Sequence, residues 1–287
     1  MNSSFRFSLL CASIMVLVAN SLALSTAHAT ILSEGHATIY WDTLSYSTDA
    51  GMSLNWDATG YPNQTSVYTY DNEGTNVDDH VNDLTSPLSV VLPVAGGNAM
   101  AEATPDQLHS STYAELSTPG EIHLNSGVNR AREFTITGEG YVTFTVDYLI
   151  SAFADNPDSI DNYAHAFGDV YLQAINYSRP TSTFFEFTTD QVRLQQGAYP
   201  TLKNTSAVYW HDDMQDIVQG VTSPIADTLS ISLWYGNGEQ GRVIGNTYTG
   251  STTRIPTPDV TVPEPTSIAL MGLGLVGLGF SRRKKAA

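Results

Sequence analysis

Apolar and polar residues alternate with a period of two along much of this chain. From Tyr141 onward the even positions Val142, Phe144, Val146, Tyr148, Ile150, Ala152 and Ala154 are apolar, while Thr143, Thr145, Asp147 and Ser151 between them are polar. That pattern predicts a strand with one buried face. Just before it, Phe134 and Ile136 alternate with Thr135 and Thr137, and Gly138-Glu139-Gly140 separates the two runs. Such spacing predicts a tight hairpin with a glycine at positive φ. A second clear strand covers 229–235 and stops at the turn-forming Gly236-Asn237-Gly238. Further strands are expected over 37–41, 52–56, 66–70, 88–92, 170–177 and 184–188. Two brief segments read as helical turns. Thr104-Pro105-Asp106-Gln107 has a cap, a proline at the first helical position and a glutamine three residues on. The stretch 211–219 has acids early and Gly220 just past its end. Strands do not alternate with long amphipathic helices, which argues against a parallel α/β fold. Many short strands between Gly, Pro, Asn and Asp turns predict an all-β antiparallel sandwich or barrel.

The two ends have a different character. Arg6 is the only charged residue before an apolar run from Phe7 to about Leu24, and the run leads to Ala27-His28-Ala29. Small residues at Ala27 and Ala29 suit a signal peptidase, so 1–29 reads as a cleavable signal peptide. The last segment runs Val262-Pro263-Glu264-Pro265, then an apolar stretch from Ile268 to Phe280, then Arg282-Arg283-Lys284-Lys285. Pro263 and Pro265 fix φ, and Pro265 also pushes Glu264 out of the helical region, leaving an extended, exposed dipeptide. As a helix the apolar stretch is about 20 Å long, short of a hydrocarbon core of about 30 Å. It would span only with polar flanks or local thinning. The basic end would stay cytoplasmic.

Those three unlike parts, in that order, resemble the PEP-CTERM sorting signal of Gram-negative bacteria. The resemblance covers 262–287. It implies recognition by exosortase, a membrane transpeptidase-like enzyme, with cleavage near Val262, Pro263, Glu264 and Pro265 and loss of the end bearing Arg282 and Arg283. It also implies an inner-membrane intermediate, inserted transiently through the tail, and then a place at the cell surface or outside the cell. Such proteins occur in bacteria that make exopolysaccharide. The body is loosely similar to the jelly-roll-type sandwiches of that group. The expected organisation is therefore a signal helix at 1–29, a jelly-roll-like β-sandwich at 30–250, a linker at 251–261 and a sorting tail with a short transmembrane helix at 262–287.

Composition narrows the chemistry. The only cysteine, Cys11, lies in the signal. The exported part therefore has no disulfide, thiolate metal site or cysteine nucleophile. Between 30 and 261, seven basic residues face 28 carboxylates, a net charge of −21. Such a body repels nucleic acid and anionic lipid. Asp155, Asp158 and Asp161 form the best calcium candidate, yet their segment lacks the central glycine and closing glutamate of a regular calcium loop. Solvated turns explain these acids better. No other cofactor is implied. All fifteen tyrosines and four tryptophans fall in the exported part. Trp234, on the Ser230 and Ser232 side of its strand, and Trp210 are candidates for stacking on sugar rings. Core packing is the commoner use of such residues. No paired-histidine metal motif, nucleophile elbow, phosphate loop or dinucleotide fingerprint occurs.

The expected function is non-enzymatic: a structural or adhesive component of the surface, the exopolysaccharide or a biofilm. A carbohydrate-binding module is the alternative, and a polysaccharide-active hydrolase or lyase a weaker one. The expected partners are signal peptidase, exosortase and extracellular polysaccharide, with no nucleic acid.

Overall fold

The computed structural model describes residues 30–56, 64–155, 163–180, 185–199, 202–211, 216–219 and 224–257. The chain divides into a compact unit ending at Pro256 and a second unit, Thr257–Ala287. The expected signal helix at 1–29 and the expected transmembrane helix of the tail both fall outside the described residues.

Among the described residues, fifteen strands form two antiparallel sheets. The strands are β1 (Ile31–Thr48), β2 (Ser53–Asn55), β3 (Gln64–Asp71), β4 (Asn76–Val81), β5 (Leu88–Val94), β6 (Gly97–Ala103), β7 (Leu108–Leu116), β8 (Gly120–Thr137), β9 (Gly140–Ala154), β10 (Tyr163–Pro180), β11 (Phe185–Tyr199), β12 (Leu202–His211), β13 (Asp216–Gln219), β14 (Ile225–Tyr235) and β15 (Gln240–Ile255). The six-stranded sheet has the order β14-β9-β1-β7-β6-β5. The nine-stranded sheet has the order β13-β12-β11-β10-β15-β8-β3-β4, and β2 pairs with the end of β8. The two sheets pack as a sandwich.

The core follows the alternation read from the sequence. Val142, Phe144, Val146 and Ile150 of β9 and Leu229, Ile231 and Leu233 of β14 all point inward. They meet Val170 and Leu172 of β10 and Phe134 of β8 from the other sheet. Phe134 is the hub of an aromatic cluster, with ring centroids 5.2 Å from Phe144, 5.2 Å from Tyr235 and 5.8 Å from Trp56. Trp41 is buried and Trp56 half-buried, so both are packing residues.

A second part of the interior is built differently. There β15 turns Thr247, Thr249, Ser251 and Thr253 inward, against Ser33, Ser110 and Thr112 of the other sheet. Ser251 and Thr112 hydrogen-bond through their hydroxyls at 2.9 Å. These small side chains fit because the two backbones nearly touch. A Cβ placed on Gly35 would stand 2.5 Å from the Phe167 carbonyl oxygen, and one on Gly168 would collide with the His36 carbonyl.

Four expectations need correction. The Gly138-Glu139-Gly140 turn does not close a hairpin: β8 pairs with β15, β3 and β2, and β9 with β1 and β14. The turn carries the chain from one sheet to the other, with φ of 88° at Gly138 and 144° at Gly140. Both glycines are needed, because a side chain is strained at such angles. The segment 104–107 is not helical but the connection between β6 and β7, with the Thr104 N–H bonded to the Gln107 carbonyl at 2.9 Å. In the stretch 211–219, the described residues His211 and Asp216–Gln219 are strand, the end of β12 and the short β13, rather than helix. Finally, β15 runs to Ile255, which is buried, so 251–255 belong to the sheet rather than to a linker.

Candidate functional site

The outer face of the nine-stranded sheet collects aromatic and amide side chains from five strands. Its geometry follows from register. One cross-strand row runs Tyr68, Gly127, Tyr248, Asp169, Arg193 through β3, β8, β15, β10 and β11. The row on one side is Tyr70, Asn125, Gly250, Phe167, Gln195, and on the other Ser66, Asn129, Asn246, Tyr171, Gln191. Directly opposed residues in antiparallel strands share a face, so these rows form one surface. A shallow depression of about 380 Å³ lies over Tyr68, Tyr70, Asp169, Tyr171, Gln191, Arg193, Asn246 and Tyr248.

Two glycines set the attitude of the rings. A Cβ on Gly127 would collide with Cζ and the hydroxyl of Tyr68, and one on Gly250 with Cε1 and Cζ of Phe167. Tyr68 and Phe167 therefore reach across the sheet over bare backbone, each half-buried. Tyr248 stands between them, with its centroid 6.4 Å from Tyr68 and 5.2 Å from Phe167. Along β10 the series continues through His165, 6.0 Å from Phe167, to Tyr163, which stacks on His165 at 6.3 Å. At about 3.3 Å per residue and about 4.8 Å per strand, this track covers roughly 13 Å along β10 and roughly 14 Å from β10 to β3.

The polar groups are held in fixed orientations. Asp169 is buried and accepts from Arg193 Nε at 2.9 Å, Arg193 Nη2 at 2.6 Å and Gln191 Nε2 at 2.8 Å. The same Arg193 guanidinium sits 5.0 Å from the Phe167 ring centre. The Tyr248 hydroxyl donates to Asn125 Oδ1 at 2.9 Å, so the Tyr70 hydroxyl, 2.5 Å away, donates to Tyr248. Asn125 Nδ2 then donates to His123 Nε2 at 2.7 Å, which puts the His123 proton on Nδ1, donating to Thr252 Oγ1 at 2.7 Å. Burial, with neighbouring Tyr171, Tyr70 and Asp169, pushes the Tyr68 hydroxyl up to about 12. Burial likewise raises Tyr248, with Tyr70 adding to it, and Tyr171, with Asp169 adding to it. These hydroxyls stay protonated and serve as donors near neutral pH. Burial drives the His165 imidazole down to about 4, so it is neutral there. The face can stack on flat rings and exchange hydrogen bonds with hydroxyls. Its central carboxylate, Asp169, is already engaged by Arg193 and Gln191, whereas glycoside hydrolysis generally uses a pair.

Two other depressions spend their polar groups locally. On the outer face of the six-stranded sheet, about 570 Å³ is lined by residues including Glu34, His36, Tyr113 and Glu115. There His36 Nε2 meets Glu34 at 2.8 Å, and Tyr113 donates to Glu115. In the depression of about 400 Å³ around Asp71 and His123, the Asp71 carboxylate closes its own turn, accepting from the Glu73 and Thr75 N–H groups at 2.9 Å. Among the described residues no group of three or more His, Cys, Asp or Glu side chains is placed to hold a metal ion.

The residues singled out from the sequence fall elsewhere. Trp234 is half-buried on the outer face of the six-stranded sheet, paired with the exposed Tyr141, so it is remote in register from the tyrosine face. Trp210 pairs in register with Val192, and its side chain lies outside the described residues. Asp155 fastens the end of β9 to Leu32, its N–H donating to the Leu32 carbonyl at 2.8 Å and its Oδ2 accepting from the Leu32 N–H at 3.2 Å. Asp158 and Asp161 lie outside the described residues, as do Ala27, Ala29, Val262, Pro263, Glu264, Pro265, Arg282 and Arg283. Sequence reasoning missed the tyrosine face because its members are dispersed from Ser66 to Tyr248. The one local signal is Gly245-Asn246-Thr247-Tyr248-Thr249-Gly250, where asparagine and tyrosine alternate with threonine and glycine.

Residues 261–284 match the family described as the PEP-CTERM protein-sorting motif. No curated protein matches the chain. The motif marks the chain as an exosortase substrate, exported and processed at the cell surface.

Proposed function

We propose that this exosortase-sorted β-sandwich is a non-catalytic, adhesive component of the cell surface or of the extracellular polymer matrix, and that the outer face of its nine-stranded sheet holds it to polysaccharide. The observation that carries this reading is the set of rings packed close over Gly127 and Gly250, beside the amides of Asn125, Asn246 and Gln191. An aromatic face is electron-rich and attracts the weakly positive C–H hydrogens of a sugar ring, while both surfaces shed water. Amide and hydroxyl groups at the rim would then pair with the equatorial hydroxyls. The alternation of the chain between the two sheets supports a jelly-roll-like description of the body. In this account the signal peptide is removed at Ala29, the tail inserts transiently, and exosortase releases the domain to its place in the exopolysaccharide or biofilm.

Co-sedimentation of the processed protein with the extracellular polysaccharide of its own cells tests the proposal. The expected result is binding that survives Trp234→Ala and is lost in the Tyr68→Ala/Tyr248→Ala double variant at unchanged secretion. Binding that persists after periodate destroys the sugars would assign the face to a protein partner and overturn the reading. Release of oligosaccharides during the incubation would overturn its non-catalytic part.

A further inference from the structure

The charges on this face say which kind of polysaccharide it takes. On the outer side of the nine-stranded sheet, Arg193, Arg242 and Arg254, the arginines whose side chains are described, each sit beside a carboxylate. Arg193 is bonded to Asp169 at 2.6 Å, Arg242 is bonded to Glu133, and Arg254 lies 4.0 Å from Glu121. Arg130 and Arg132, although they belong to the same sheet, point to its inner side, over Trp41 and Trp56. Among the described side chains, a carboxylated or sulfated chain would therefore meet no net positive charge on the face. It would also approach a domain whose residues 30–261 carry −21 in total. Buried or half-buried ion pairs are not available to a new anion without first breaking the existing pair, which costs more than a surface contact returns.

We infer that the tyrosine face of the nine-stranded sheet is a binding site for an uncharged polysaccharide chain, engaged over several sugar units. The inference rests on the reading proposed above and narrows it. Uncharged follows from the pairing of Arg193 with Asp169 and from the overall field. Several units follows from the track from Tyr163 through Phe167 and Tyr248 to Tyr68, which extends over roughly 13 Å in one direction and roughly 14 Å in the other. Contacts of this kind are stacking and neutral hydrogen bonds, which salt screens little.

Affinity electrophoresis of the processed protein through gels cast with neutral polymers (a β-glucan, a galactomannan) and anionic ones (alginate, polygalacturonate), at low and high salt, tests it. The expected result is retardation by at least one neutral polymer, nearly independent of salt. It should weaken by about tenfold or more in Tyr68→Ala/Tyr248→Ala, a readily measured change. The Tyr68→Phe/Tyr248→Phe variant should keep most of it, which separates loss of the ring from loss of the fold. Tyrosine-dependent retardation by the anionic polymers alone would overturn the uncharged assignment while leaving a saccharide-binding face in place. Retardation by none of the four polymers would overturn this inference, and failure in the co-sedimentation experiment as well would remove the proposed function with it.

Discussion

Single residues decide whether the face exists. Gly127 matters because it has no side chain: the Tyr68 ring occupies the space a Cβ would fill. Gly127→Ala should tilt that ring off the sheet and cost about 1–3 kcal/mol, as overpacked sites do. The check is a denaturant melt, together with a near-ultraviolet circular dichroism change and weaker polysaccharide binding. His165 makes a prediction about pH. Its imidazole is held neutral down to about 4 by burial, whereas in the unfolded chain it protonates near 6.5. The unfolded state thus binds more protons between those values, and stability falls as pH drops from about 6.5 towards about 4. Burial, with His36, lowers His109 too, so it adds to the same trend. Thermal melts should show a declining midpoint across that window, with a shallower decline in His165→Gln. A midpoint flat from pH 7 to pH 4 would contradict the buried neutral histidine.

At the scale of elements, legibility followed side-chain size. β9 and β14 were readable because they turn Val, Phe, Ile and Leu inward. β6, β7 and β15 were not, because their inward positions are Ala99, Ala101 and Ala103, then Ser110 and Thr112, then Thr247, Thr249, Ser251 and Thr253. Where backbones touch, a strand has no room for large apolar groups, and the period-two signal vanishes although burial is complete. Gly168→Ala tests this physical reason. Its new methyl would press on the His36 carbonyl of the facing sheet, and backbone cannot swing aside as a side chain can. A loss of about 2 kcal/mol or more is expected, at the upper end of overpacking costs, read from the urea midpoint. The turn 138–140 carries a related lesson. Its glycines announced a sharp change of direction correctly, but nothing local distinguishes a hairpin from a passage between sheets.

At the scale of the molecule, Arg130 helps to join the two layers. It is fully buried on β8, and donates through Nε to Thr65 Oγ1 at 3.1 Å and through Nη1 to the Thr104 carbonyl at 2.6 Å, on the β6–β7 turn of the other sheet. Burial pulls it down to about 10, while Asp83 opposes that shift. Arg130→Ala should cost about 3–5 kcal/mol, combining a cavity with an orphaned carbonyl. Arg130→Met, which keeps the volume and removes the buried charge, should cost clearly less. An equal loss in both would mean that the charge, not the filling, joins the sheets. The tail was legible because its three parts are contiguous, whereas the candidate site spans β3, β8, β15, β10 and β11 and emerges only with their register.

The claim that this face receives the polymer is tested most directly by hydroxyl-radical footprinting of the processed protein, free and polysaccharide-bound, read by mass spectrometry. The account predicts that oxidation of Tyr68, Phe167, Tyr171 and Tyr248 falls on binding while that of Tyr141 and Trp234 is unchanged. Protection of Tyr141 and Trp234 with undiminished oxidation of the four would place the ligand on the other sheet and contradict it.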